Sequence, residues 1–109
     1  MAGKMTTYSA FWPSYLKEHA RPATRGWHYA GSTLALVFLG LGAVVKPGLL
    51  LCVPLAGYGC AWFSHFFVEK NKPATFTYPL WSLYSDFRMF GLWLTGRLRP
   101  HLENAGLAP

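Results

Sequence analysis

Charge is what this chain has least of. Only 13% of its 109 residues are Asp, Glu, Lys or Arg, against roughly a quarter in soluble domains, while 52% are hydrophobic. Between Leu49 and Val68 there is no Asp, Glu, Lys or Arg at all, over a stretch about as long as a hydrocarbon core requires. There is no Cys-x-x-Cys pair, no phosphate-binding glycine loop and no nucleophile elbow, so the usual marks of dithiol redox chemistry, nucleotide hydrolysis and acyl transfer are missing. Cys52 and Cys60 stand eight residues apart in one apolar segment. That is about 12 Å of helical rise, too far for a disulfide within one helix, and both read as small apolar fillers. Met1–Ala10 is polar and lacks the apolar core of a secretory signal, so the apolar stretches are expected to be retained anchors. No long basic run or recognised motif points to nucleic acid.

What the chain does contain is organised around a turn. One apolar stretch runs from about Tyr29 to Val45 and another from Leu49 to Val68, with Lys46-Pro47-Gly48 between them. The spacing predicts an all-α integral membrane protein of one domain, residues 1–109. At its centre is a helical hairpin with spans at about 27–45 and 49–69. A buried soluble hairpin is the competing reading. The net charge is +6, and the basic residues gather at one end: Lys17, Arg21 and Arg25 before the first span, Lys70 and Lys72 after the second, with Lys46 alone at the turn. The positive-inside rule puts both termini on the cytoplasmic side. The same cluster suits anionic lipid headgroups or a fatty carboxylate.

Flanking segments are expected to lie at the interface. In Thr6–His19, Tyr8, Phe11, Trp12, Tyr15 and Leu16 recur near a 3.6 period, which predicts a short interfacial helix over about 6–19 with Pro13 in its first turn. Arg21-Pro22-Ala23-Thr24 should break that helix, and Thr24 should cap the next. Gly31, Gly40, Gly42, Gly57 and Gly59 allow close helix approach, and Pro54 is expected to kink the second span. Pro79 opens a third segment, about 79–98, whose mid-segment Asp86 and Arg88 favour an amphipathic or re-entrant helix over a full span. His101–Pro109 reads as a loose tail. The five tryptophans, Trp12, Trp27, Trp62, Trp81 and Trp93, suit an interfacial belt and packing.

The histidines carry the chemistry. His28 and His65 lie ~17 residues on either side of the turn, each about 25 Å from it along its helix, hence at one depth. Glu69 follows His65 by four residues, one helical turn on. Neutral imidazoles bind iron, zinc or copper, and a carboxylate favours a harder metal, so His19, His28, His65 and Glu69 form a candidate ligand set. The alternatives are structural: His19 snorkelling beside Glu18, and Glu69 paired with Lys70 or Lys72. Arg25 and Arg88 are candidates to clamp a carboxylate, against a charge bias for Arg25 and a salt bridge with Asp86 for Arg88.

Phe11-x-x-x-Tyr15, His19, His28 and then Gly57-Tyr58-Gly59-x-x-Trp62-x-x-His65-x-x-x-Glu69-Lys70-x-Lys72-Pro73-Ala74 resemble the 2-hydroxy fatty acid dioxygenases, over about Phe11 to Leu98. The fungal member is an endoplasmic-reticulum enzyme of fatty acid α-oxidation, and this chain looks like a short bacterial relative. The resemblance implies an Fe(II)-dependent enzyme that shortens a 2-hydroxy fatty acid by one carbon with release of CO2. It places iron on His19, His28 and His65. The fungal form carries a further hydrophobic pair with its own Asp-His, which this chain is too short to hold; if that histidine is a ligand there, Glu69 or a second subunit of a homo-oligomer stands in here, or the chemistry differs. Arg25 would receive the carboxylate, and Glu69 would be a fourth ligand or the partner of one.

The expected partners are therefore a 2-hydroxy fatty acid, O2 and membrane lipid. The expected location is the bacterial inner membrane, or the endoplasmic reticulum in a eukaryote. Two rivals remain at this point. One is a haem electron carrier with His28 and His65 as axial ligands; the other is a non-catalytic lipid-binding membrane protein.

Overall fold

Every regular element among the described residues is helical, and no strand occurs among them. The computed structural model describes residues 5–107; the first four residues of the polar N-terminus and the last two of the tail lie outside that range. The chain packs as two compact units. One is the continuous run Arg21–Pro73; the other combines Met1–Ala20 with Ala74–Pro109.

In the continuous unit, α2 spans Pro22–Val44. (α1, Tyr8–Lys17, belongs to the other unit.) It starts about a turn earlier than the apolar pattern suggests, because Pro22 acts as a first helical residue, not a breaker: its φ is already helical and its missing N–H would have no intrahelical partner there. Arg21 is the N-cap residue and supplies no side-chain cap bond. Thr24, expected to cap, sits inside the helix with its hydroxyl committed elsewhere. After Val45 and Lys46 the chain enters a 3₁₀ turn, Pro47–Leu51, then α3, Cys52–Phe63, then a π-helical turn, Ser64–Glu69. Pro54, the expected kink, falls in the first turn of α3 just after the change from 3₁₀ to α, a place where a missing N–H is tolerated.

Pro22–Val44 and Pro47–Glu69 are each 23 residues long and apolar enough to cross a membrane; a helix of that length rises about 35 Å, against a hydrocarbon core of about 30 Å. They run antiparallel. Gly42 lies against Leu50, Gly57 against Ala35, and Gly31 against Cys60. A Cβ on Gly31 would stand 2.9 Å from the Cys60 Cβ and 3.1 Å from the Gly57 carbonyl oxygen, so glycine at this position is what lets the backbones meet. Gly40 and Gly59 have nothing within 4 Å and take no part in that approach. The outward apolar side chains stay uncovered: Leu51 is 74% exposed and Leu55 72%.

The other unit is built on aromatic rings. α1 opens at Tyr8, inside the expected range of about 6–19, because the Thr7 hydroxyl accepts from the Ala10 N–H. Pro13 is therefore inside the helix and not in its first turn. An interior proline costs about 3 kcal/mol or more, which the burial of Phe11, Trp12, Tyr15 and Leu16 can offset at about 1.5–3 kcal/mol per large side chain. α4 spans Pro79–Leu94. It ends at Gly96, whose φ of +71° lets Arg97 N–H reach back to the Leu92 carbonyl, the Schellman way of closing a helix. The expected loose tail is instead a fifth helix, α5, Leu98–Asn104. Leu98, Leu102 and Ala105 are buried, so apolar spacing over one more turn anchors it.

Candidate metal centre

The site begins where α3 gives way to the π turn. The Ser64 hydroxyl donates to the Ala61 carbonyl at 2.7 Å, one of the local bonds that compete with regular helix bonding. His65 follows, 2% exposed, and faces His28 of α2, 4% exposed. Their Nε2 atoms are 3.2 Å apart and the rings meet edge to face. Equal offsets from the turn bring the two together, since both helices rise nearly equally per residue.

His65 is held from behind. Its Nδ1 lies 2.6 Å from Asn71 Oδ1. An amide oxygen only accepts, so Nδ1 carries the proton and Nε2 the lone pair. His19, fully buried, is fixed in the same way: its Nδ1 is 2.6 Å from the Tyr15 carbonyl oxygen, and its ring stacks on Tyr15 at 4.1 Å. His19, His28 and His65 are the three imidazoles that could hold a metal ion.

The chemistry of this donor set suits a metal. Ligating histidines ordinarily donate their other ring N–H to a carbonyl or carboxylate, which orients the ring, and His19 and His65 both do so. Adjacent ligands on one ion, with bonds of about 2.0–2.1 Å, sit about 3 Å apart, as the two Nε2 atoms here do.

The other candidates go elsewhere. Glu69 is outside the histidine group. Its Oε1 accepts from the Thr24 hydroxyl at 2.8 Å and from the Arg21 backbone N–H at 3.1 Å. A carboxylate from the second helix thus caps the first, at the end where the helix dipole favours negative charge. The i, i+4 spacing from His65 does not bring Glu69 into the group, because its carboxylate is taken by Thr24 and Arg21 at the start of α2. Arg25, 5% exposed, lies on α2 one turn before His28 and so on the same face.

Arg88 belongs to the aromatic unit, with its guanidinium 4.2 Å from the Trp12 ring centre and 5.6 Å from that of Tyr8. Asp86 accepts from the Tyr15 hydroxyl. His101, read as tail, accepts at Nδ1 from the Trp12 indole N–H at 3.1 Å, because α5 returns it to the aromatic cluster. Burial raises the Glu18 carboxyl above its ordinary pKa. Asn71 was not among the sequence candidates: it lies past the end of the helix, where no periodicity points to it.

A family model described as 2-hydroxy-palmitic acid dioxygenase Mpo1-like matches residues 5–98. No curated protein and no solved structure matches the chain.

Proposed function

The chain belongs to the 2-hydroxy-palmitic acid dioxygenase Mpo1-like family, and on that premise we propose that it is an iron-dependent membrane oxygenase acting on 2-hydroxy fatty acids. The overall change balances as one 2-hydroxy acid and one O2 giving the acid one carbon shorter, CO2 and water. The observation that carries the reading is the buried imidazole pair His28 and His65, to which His19 adds a third possible donor. Fe(II), held there, would supply the redox chemistry between O2 and the hydroxy acid. Three protein ligands leave positions open on an octahedral ion.

The chain's own residues do the rest. His19 and His65 present Nε2 lone pairs because their Nδ1 protons are engaged. Burial of all three imidazoles keeps bulk water from the site. Arg25, on the face of α2 that bears His28, receives the substrate carboxylate through its planar guanidinium. The hydrocarbon tail stays in lipid beside the exposed leucines of the two long helices. We assign those helices as membrane spans, because a soluble core pair would have its apolar face covered. By the positive-inside rule, the basic residues beside the histidine end favour the cytoplasmic side for that end and for both termini.

Purified protein given Fe(II), O2 and 2-hydroxypalmitate should yield pentadecanoic acid by mass spectrometry. No shortened acid from iron-loaded protein would sink the reaction. Equal product from unhydroxylated palmitate would sink recognition through the hydroxyl. Carbonate extraction should leave the protein in the membrane fraction, and reporters fused to either terminus should give cytoplasmic signals; release, or termini on opposite sides, would refute the topology.

A further inference from the structure

Two adjacent residues close the π turn onto His65. Lys70 adopts the left-handed conformation, φ 63° and ψ 49°, and its N–H reaches the His65 carbonyl. The Asn71 N–H reaches the same carbonyl at 2.8 Å. Asn71 then turns its side chain back to the His65 ring, with Oδ1 2.6 Å from Nδ1. One residue therefore grips both the main chain and the imidazole of His65. Left-handed backbone is disfavoured for a non-glycine residue, so Lys70 holds an unfavourable conformation that directs Asn71 back to the ring. If Asn71 served only to end the helix, its backbone N–H would suffice and the side chain would be free to face water.

We propose that Asn71 is a positioning residue of the histidine site, holding His65 in the Nδ1–H tautomer so that Nε2 is the ligand atom. The inference rests on reading the histidines as a metal site. An oxygen acceptor at this position does two things. It stops the ring from flipping by half a turn about its bond to Cβ. It also withholds the proton from Nε2, which would otherwise be divided between the two nitrogens of a neutral imidazole. Asp keeps the acceptor; Leu removes it at similar volume.

The test uses the full chain in detergent, labelled with ¹⁵N-histidine. Long-range ¹H–¹⁵N correlation on metal-free protein reads the His65 tautomer, and chelator competition reads Fe(II) affinity under anaerobic conditions. Wild type and Asn71→Asp should both show the Nδ1–H form, with affinities within a few-fold of each other. Asn71→Leu should show the Nε2–H form or a mixture and bind iron about 10–100-fold more weakly, with unchanged helical circular dichroism. If Asn71→Leu does not fold, Asn71→Ala, which keeps both backbone bonds to His65, carries the same comparison. Wild-type tautomer and affinity in the Leu or Ala variant would overturn the proposal, as would an Asp variant as weak as Leu. A wild-type protein that binds no iron would overturn the metal reading, and the metal-free tautomer measurement would then decide the role of Asn71 by itself.

Discussion

The helix pair of residues 21–73 and the unit made from the two ends of the chain use polar and apolar side chains in opposite ways. In the pair, contact is made by the smallest residues: Gly31 against Cys60, Gly57 against Ala35, and Gly42 against Leu50. Its polar side chains Thr24, His28, His65, Glu69 and Asn71 bond at the end remote from the turn. In the other unit several large side chains are fully buried, Phe11, Tyr15, Leu16 and Met89. Polar atoms are threaded through the rings: Tyr8 to Ser85, Trp12 to His101, and Arg88 over Trp12. On the proposed membrane reading the difference follows from solvent: helices surrounded by lipid would gain little from covering leucine and would associate through close backbone contact. A unit that excludes water gains from every ring it buries.

The sharpest way to break the comparison is to remove an imidazole from each region. His65→Ala should abolish stoichiometric iron by elemental analysis, and His101→Ala should leave iron content unchanged. Full iron in the first variant, or loss in the second, would erase the division between a site histidine and a packing one. Next, Met89→Ala removes a fully buried side chain from α4 and should cost about 2–5 kcal/mol in denaturant unfolding; a loss below 1 kcal/mol would mean that this unit is not closely packed.

A smaller effect separates two glycines in one helix. Gly31→Ala pushes a Cβ into Cys60 and the Gly57 carbonyl and should cost about 1–3 kcal/mol, with weaker iron binding as His28 and His65 are forced apart. Gly40→Ala, in open space, should gain up to about 1 kcal/mol of helix propensity. Equal responses would show that small residues do not set the packing of the pair. The smallest effect concerns Arg88→Met, which deletes the cation over Trp12 and should cost about 0.5–2 kcal/mol; a neutral result would make that stacking incidental.

Much of the fold is legible in the residues. The uncharged stretch before Val68 implies a long apolar helix, and the equal offsets of His28 and His65 from Lys46-Pro47-Gly48 imply their meeting. Thr7, Pro22 and Gly96 are ordinary start and stop signals. Pro13 and Thr24 carry first-turn and capping signals that compete with those of Thr7 and Pro22, and α5 is signalled only by Leu98 and Leu102 standing one turn apart. Glu69 is harder: its spacing from His65 suits a ligand, and only the approach of Thr24 and Arg21 gives its carboxylate another partner.

By itself the sequence determined the helices, the apolarity of two of them and the set of imidazoles available, because these depend on local backbone preference and on transfer from water, which act residue by residue. Only the tertiary structure decided which partner each polar atom takes. Glu69 caps α2, and Asn71 orients His65, because the left-handed turn at Lys70 and the approach allowed by Gly31 set directions in space. A hydrogen bond depends on direction and on distance to within a few tenths of an ångström, and the order of residues along the chain does not specify either.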